Sequence, residues 1–123
     1  MTSREEIGAV VRRAIAETNI TDMHTHVYDP AFGGLLLWGI DDMLTYHYLV
    51  AEAFRWIDIP YEDFWAMPKE LQADMVWKVL FVEHSPVSES CRGVLAVLNA
   101  LGLDTSSRDL EGYRDFFASC SAG

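Results

Sequence analysis

The sequence predicts a mainly α-helical chain with one short strand. Apolar residues recur at helical spacing over six stretches, and capping residues or prolines precede most of them. A single extended run near residues 20–26 interrupts the pattern.

The first helix is predicted over residues 3–17. Ser3-x-x-Glu6 is a capping-box pattern, and Ile7, Val10, Val11, Ala14 and Ile15 follow on one face. Asn19, Ile20 and Thr21 end that periodicity and open the strand-like run. A turn-rich loop comes next, through Asp29-Pro30 and Gly33-Gly34. From about Asp41 the pattern is helical again, through Met43, Leu44, His47, Tyr48 and Ala51. Pro60 suits the first turn of a short helix over 61–66, and Pro68 that of a longer one reaching about Val82. The predicted buried stripe of the longer helix is Leu71, Met75, Val79 and Val82. Ser88 or Ser90 starts the next helix, with Val94, Val97, Leu98 and Leu101 inward and Gly102 as its C-terminal cap. A last helix, capped near Ser106 or Ser107, carries Leu110, Tyr113, Phe116 and Phe117.

Half of the 123 residues are hydrophobic, and four Trp, five Tyr and six Phe demand a substantial buried surface. One domain is expected, its apolar surface covered internally or by a partner. The formal charge of −10 argues against nucleic acid and against an anionic membrane surface, both of which need clustered Lys and Arg. Runs such as Gly33–Trp38 and Val94–Leu98 are too short to span a bilayer. The first residues lack the basic start and apolar stretch of a signal peptide. Cys91 and Cys120 form no C-x-x-C pair and are too few for a disulfide scaffold. Cytoplasmic residence is the resulting expectation.

Residues 22–26 read Asp-Met-His-Thr-His. On a strand, Asp22, His24 and His26 point the same way, so both imidazoles can reach one divalent ion, and imidazole suits zinc. Asp22 is placed to orient a histidine, or alternatively to shape a turn. A catalytic zinc normally has three protein ligands, and no third is evident here. A lone strand also leaves its backbone groups without partners. Its sheet is therefore expected outside these residues, unless the run is only a local extended segment.

The D-x-H-x-H run after an N-terminal helix resembles the first barrel strand of the amidohydrolase superfamily. Trp38-Gly39-Ile40-Asp41-Asp42, then Leu44-Thr45-Tyr46-His47-Tyr48-Leu49-Val50 and Phe54-Arg55-Trp56, extend the resemblance. Ser85-Pro86-Val87-Ser88-Glu89 and Cys91-Arg92-Gly93-Val94-Leu95 carry it further. Over nearly its whole length the chain is similar to the N-terminal part of bacterial uronate (glucuronate) isomerases. The resemblance implies a metal-assisted aldose–ketose isomerase acting on glucuronate or galacturonate. His24 and His26 would lie at a divalent metal, usually zinc, and Tyr48 at the sugar acid, with His47 as the weaker candidate. Residues 1–27 would hold the first helix and barrel strand, and 39–120 a helical insertion. A complete (β/α)₈ barrel needs about 250 residues. The carboxylate of the last strand and the arginines expected to hold the sugar carboxylate are absent, so the isolated chain is expected to be inactive. It is also expected to associate with the rest of a barrel or with its own copies.

Two other readings stay open. In an amidohydrolase-type hydrolase the same histidines would help generate a metal-bound hydroxide, and product analysis separates this from isomerisation. A non-enzymatic helical module would bind a partner through exposed aromatic surface. Elsewhere the residues favour structural roles. Tyr46, His47 and Tyr48 also fit aromatic packing, Cys91 a buried thiol, and His84 compensation of a helix dipole. Trp56, Trp65 and Trp77 are expected between helices, and Glu62, Asp63 and Glu70 on a solvated face.

Overall fold

The computed structural model describes residues 3–19, 21, 23 and 39–120. Among these residues there is no strand, and the secondary structure is helical. Apart from Thr21 and Met23, the predicted strand lies outside the described residues, as do Asp22, His24 and His26. The chain divides into two compact units, Met1–Gly33 and Gly34–Gly123.

In the first unit, α1 spans Arg4–Glu17 and starts as its sequence signature requires. Glu6 N donates to Ser3 Oγ at 3.2 Å, while Ser3 N donates to Glu6 Oε2 at 2.6 Å. These reciprocal bonds satisfy two amides that a helix start leaves open. The bond from the Ser3 backbone, then that from its side chain, holds the Glu6 carboxyl below the ordinary range. A depressed carboxyl stabilises the fold above its unfolded pKa, and that contribution is lost as pH falls through the folded pKa. Acidification is therefore expected to fray the start of α1. In Ser3→Ala, a carbon-detected NMR titration should find the Glu6 pKa moved up and the acid fraying diminished.

The second unit contains α2 (Ile40–Leu44), α3 (His47–Ala53), α4 (Tyr61–Ala66) and α5 (Lys69–Trp77). A π-helical run, Lys78–Glu83, extends α5, and α6 (Glu89–Ala100) and α7 (Leu110–Ser119) follow. Pro60 and Pro68 occupy the N-cap positions of α4 and α5, just outside the first turn, where a missing N–H costs nothing. Ser88 caps α6 by accepting from Cys91 N at 3.1 Å. At the other end Gly102 takes φ +79°, donating to Asn99 O while Leu103 N donates to Leu98 O, each at 3.0 Å. This is a Schellman closure, with glycine at the one position that needs left-handed backbone.

α2 and α3 pack on α5, α7 packs on α2, and α6 packs on α3. Phe64, Ile40, Leu44, Val50, Val76, Cys91 and Leu98 are fully buried. Each such large aliphatic or aromatic side chain contributes about 1.5–3 kcal/mol by leaving water. Trp77 stacks on Phe81 at 4.5 Å between ring centroids, meets Tyr113 edge-on at 5.7 Å and donates from Nε1 to Arg108 O at 3.3 Å.

An arginine clamp ties α2, α5 and α7 together. Arg114 donates from Nε to Asp41 Oδ1 at 3.0 Å, and from Nη2 to Asp74 Oδ1 at 2.7 Å and Glu70 O at 3.1 Å. Its Nη1 pairs with Glu111. Burial alone would lower the guanidinium's pKa, but the bonds to Asp41, Asp74 and Glu111 outweigh it and raise the pKa. Removing the hub strands two carboxylates that are only partly exposed. Arg114→Met is expected to lower unfolding stability by about 1–3 kcal/mol, measured by urea denaturation.

Several sequence expectations need correction. The inward face of α5 and its extension is Gln72, Ala73, Val76, Trp77, Val79, Leu80 and Phe81; of the predicted stripe Val79 is buried and Met75 packs against the core, whereas Leu71 and Val82 are exposed. Gln72 enters the core because its Nε2 donates to Met67 O at 2.9 Å, so the stripe turns by about one residue. In α6 the buried line is Cys91, Val94 and Leu98, with Val97 and Leu101 largely exposed. The cap of α7 is Asp109, which accepts from Gly112 N at 3.0 Å. A Cβ at residue 112 would lie 2.4 Å from Asp109 Oδ2, so a larger residue there would push the capping carboxylate aside. Ser106 and Ser107 instead close a turn on Asp104, and the Ser106 bonds lower that carboxyl's pKa. Trp77 packs between helices as expected, but Trp56 and Trp65 are at the surface.

Candidate functional site

The chemistry-bearing segment Tyr46-His47-Tyr48 sits where α2 stops and α3 starts. Thr45 ends α2 by donating from Oγ1 to Asp41 O at 2.7 Å, and Tyr46 becomes the N-cap of α3 with extended backbone. Leu49, Val50 and Ala53 anchor α3 in the core, which leaves His47 and Tyr48 outward. The His47 ring lies 4.3 Å from that of Tyr46 and 4.1 Å from that of Tyr48, and the two tyrosines meet edge-on at 5.5 Å. Tyr48 is 57% exposed, so it is available to a ligand rather than consumed by core packing.

Tyr48 separates two grooves. One, of about 230 Å³, is mostly apolar and runs between Met43, Tyr46 and Leu49 on one side and Gly93, Val94 and Val97 on the other. The second, of about 330 Å³, is mixed in character and lined by Tyr48, Ala51, Glu52, Arg55, Ser88 and Ser90. Glu52 and Arg55 were not singled out as site residues by sequence reasoning, although their spacing from Tyr48, four and seven residues respectively, marks one helical face. A third depression, of about 460 Å³, lies over the Arg114 clamp, where Arg114 and Lys69 are already paired with carboxylates.

The predicted site residues do not all come together within view. Tyr48 and His47 are adjacent and exposed, while His24 and His26 lie outside the described residues. Among the described residues no group of three or more His, Cys, Asp or Glu side chains is placed to hold a metal ion. His84 accounts for itself structurally: its Nδ1 is 2.8 Å from Val79 O at the end of the π-helical run, and its ring stacks on Trp56 at 3.9 Å. Glu62, Asp63 and Glu70 are solvent-exposed in the first turns of α4 and α5, where negative charge suits the helix dipole.

Cys91 is a buried thiol. Desolvation pushes its pKa up, the Ser88 hydroxyl pulls the other way, and the Glu52 charge adds to the rise. It is therefore protonated and shielded at neutral pH. Iodoacetamide is expected to label the exposed Cys120 in the native protein and to reach Cys91 only after unfolding, as read by peptide mass spectrometry.

No protein-family model and no curated protein sequence matches the chain. Among solved structures, a crystal structure of a uronate isomerase from Bacillus halodurans superposes with a TM-score of 0.84. The two are 54% identical over 98% of this chain. The chain belongs to the uronate isomerase family. It spans 29% of the length of that relative. Identity this high along the chain extends the family assignment to the helical unit and its Tyr46-His47-Tyr48 segment, beyond the short histidine motif alone. No helix among the described residues of this uronate isomerase segment is long and apolar enough to cross a membrane.

Proposed function

We propose that the chain is the N-terminal part of a uronate isomerase that interconverts glucuronate or galacturonate with the matching keto-uronates. The 54% identity over 98% of the chain carries this reading. By the family resemblance, residues 20–26 would supply the first strand of a (β/α)₈ amidohydrolase-type barrel, and the helical unit would be an insertion carrying Tyr48 as a substrate residue. The other strands, with the remaining metal ligand, the general base and the arginines the family places on those strands, belong to sequence these 123 residues do not contain. The segment alone is inactive for that reason, since a barrel site is assembled at the ends of several strands.

His24 and His26 would hold a divalent metal, zinc by ligand type, which when bound supplies Lewis-acid polarisation of a sugar oxygen. The residues of this chain then have simple tasks. Tyr48, half exposed and braced by the His47 ring, offers a hydroxyl that can donate to or accept from the sugar acid. A proton moves between C1 and C2 of the open-chain sugar, and a hydroxyl held at the reacting oxygens steers that transfer. The partners are a small sugar acid and the remainder of the barrel or further copies of the chain, in the cytoplasm. Nothing favours the hydrolase or the binding-module reading over this one.

The test is to isolate the native protein with an antibody to this segment and assay it on both uronates. A species several times heavier than 13.9 kDa that forms keto-uronate with conserved formula is expected. A 13.9 kDa species without isomerase activity, or a product that has gained water, would overturn the reading.

A further inference from the structure

The groove formed by Tyr48, Glu52, Arg55, Ser88 and Ser90 contains a cation that forms no ion pair among the described residues. α3 buries Leu49, Val50 and Ala53, so the line Tyr48, Glu52 and Arg55 faces the groove. The turn past the helix end keeps that register, with Arg55 N donating to Glu52 O at 3.1 Å. Among the described residues Lys69, Lys78 and Arg114 are engaged with Asp42, Glu83 and the Asp41–Asp74–Glu111 set. Arg55 has no carboxylate within ion-pair distance among those residues, and it is the one cation lining this groove. Arg4, Arg12, Arg13, Arg92 and Arg108 likewise form no ion pair among the described residues, but none of them lines this groove.

The other lining groups match a polyhydroxylated anion. Ser88 Oγ already accepts from Cys91 N, which leaves its own O–H to donate outward. Ser90 brings a second hydroxyl to the wall, and Glu52 a carboxylate that can accept from sugar hydroxyls. The groove's 330 Å³ falls within the usual size of small-molecule sites, about 300–1,000 Å³.

We propose that this groove is a subsite for an anionic sugar acid, in which Arg55 takes the carboxylate and Glu52, Ser88 and Ser90 take hydroxyls. It adds a carboxylate-reading residue on this chain, next to Tyr48, and it rests on the uronate isomerase reading for the identity of the anion. A guanidinium binds a carboxylate through two parallel N–H donors, so lysine is no substitute in this role.

The experiment titrates the ¹⁵N-labelled 123-residue chain with D-glucuronate and, separately, with uncharged D-glucose. Glucuronate is expected to shift the amides of Tyr48, Glu52, Arg55 and Ser88, with glucose producing no such set. Arg55→Gln should weaken that response by about tenfold or more, whereas Arg92→Gln, outside the groove, should leave it intact. Near-identical spectra of the free variants establish that both are folded. Equal responses to the two sugars, shifts confined to other regions, or an unchanged response in R55Q would each overturn the subsite. The isomerase assay on the native protein separates this from the parent reading. An active isomerase whose groove ignores glucuronate refutes the subsite alone, and a responsive groove in a protein without isomerase activity refutes the isomerase reading alone.

Discussion

Trp77→Ala is expected to remove about 3–5 kcal/mol of unfolding stability, the usual range for deleting a buried aromatic side chain. A domain of this size has a total of only about 5–15 kcal/mol. The substituted helical unit should therefore be partly unfolded without denaturant, with a urea midpoint far below that of the parent by circular dichroism. Three losses coincide in this one change: the stack on Phe81, the edge contact with Tyr113 and the bond from Nε1 to Arg108 O. Trp77→Phe separates them, because it keeps a ring against Phe81 and drops only the hydrogen bond and some volume. Its expected cost is about 1–2 kcal/mol. A Trp77→Ala midpoint close to the parent's would mean that α5 and α7 are not joined through this residue.

The second large effect concerns the histidine pair. On the proposed isomerase reading, His24→Ala or His26→Ala in the native protein is expected to abolish bound metal and to lower turnover by at least about a hundredfold. Lewis-acid stabilisation contributes several kcal/mol, and each 1.36 kcal/mol is a factor of ten in rate. Tyr48→Phe should behave differently, reducing turnover while leaving metal content unchanged, because it removes a hydroxyl and no ligand. Metal analysis beside the rate assay distinguishes the two. Full metal occupancy in both histidine variants would contradict the assignment of the pair.

The parts of the fold that were legible in the sequence are those set by local chemistry. Ser3 and Glu6 announced the start of α1 because a capping box needs only residues three apart. Pro60 and Pro68 marked two helix starts, and Gly102 a helix end, because backbone conformation at those points depends on the residue itself. What stayed hidden depends on distant partners. Arg114 meets Asp41 across 73 positions, and no local pattern distinguishes it from any exposed arginine. Gln72 reads as a surface residue until Met67 O is seen to accept its amide, and the inward face of α5 was misplaced for that reason. The π-helical run changes the number of residues per turn, which further defeats a count based on 3.6.

The candidate site was legible in a similar, uneven way. Tyr48 is marked by its motif, and the fold adds that it is exposed at the start of α3. Arg55 lies in the Phe54-Arg55-Trp56 stretch of the resemblance but is given no role there, and its place beside Ser88 and Ser90 is visible only once the groove is formed. His24 and His26 remain an inference from the D-x-H-x-H run and the family.

The decisive measurement is uronate isomerisation by a graft in which this chain replaces the matched 29% of the Bacillus halodurans uronate isomerase. Formation of keto-uronate at a rate of the same order as the parent enzyme's is the expected result, because the chain would supply the first strand, the metal histidines and Tyr48. A folded, metal-loaded graft with no activity on glucuronate or galacturonate would contradict the assignment.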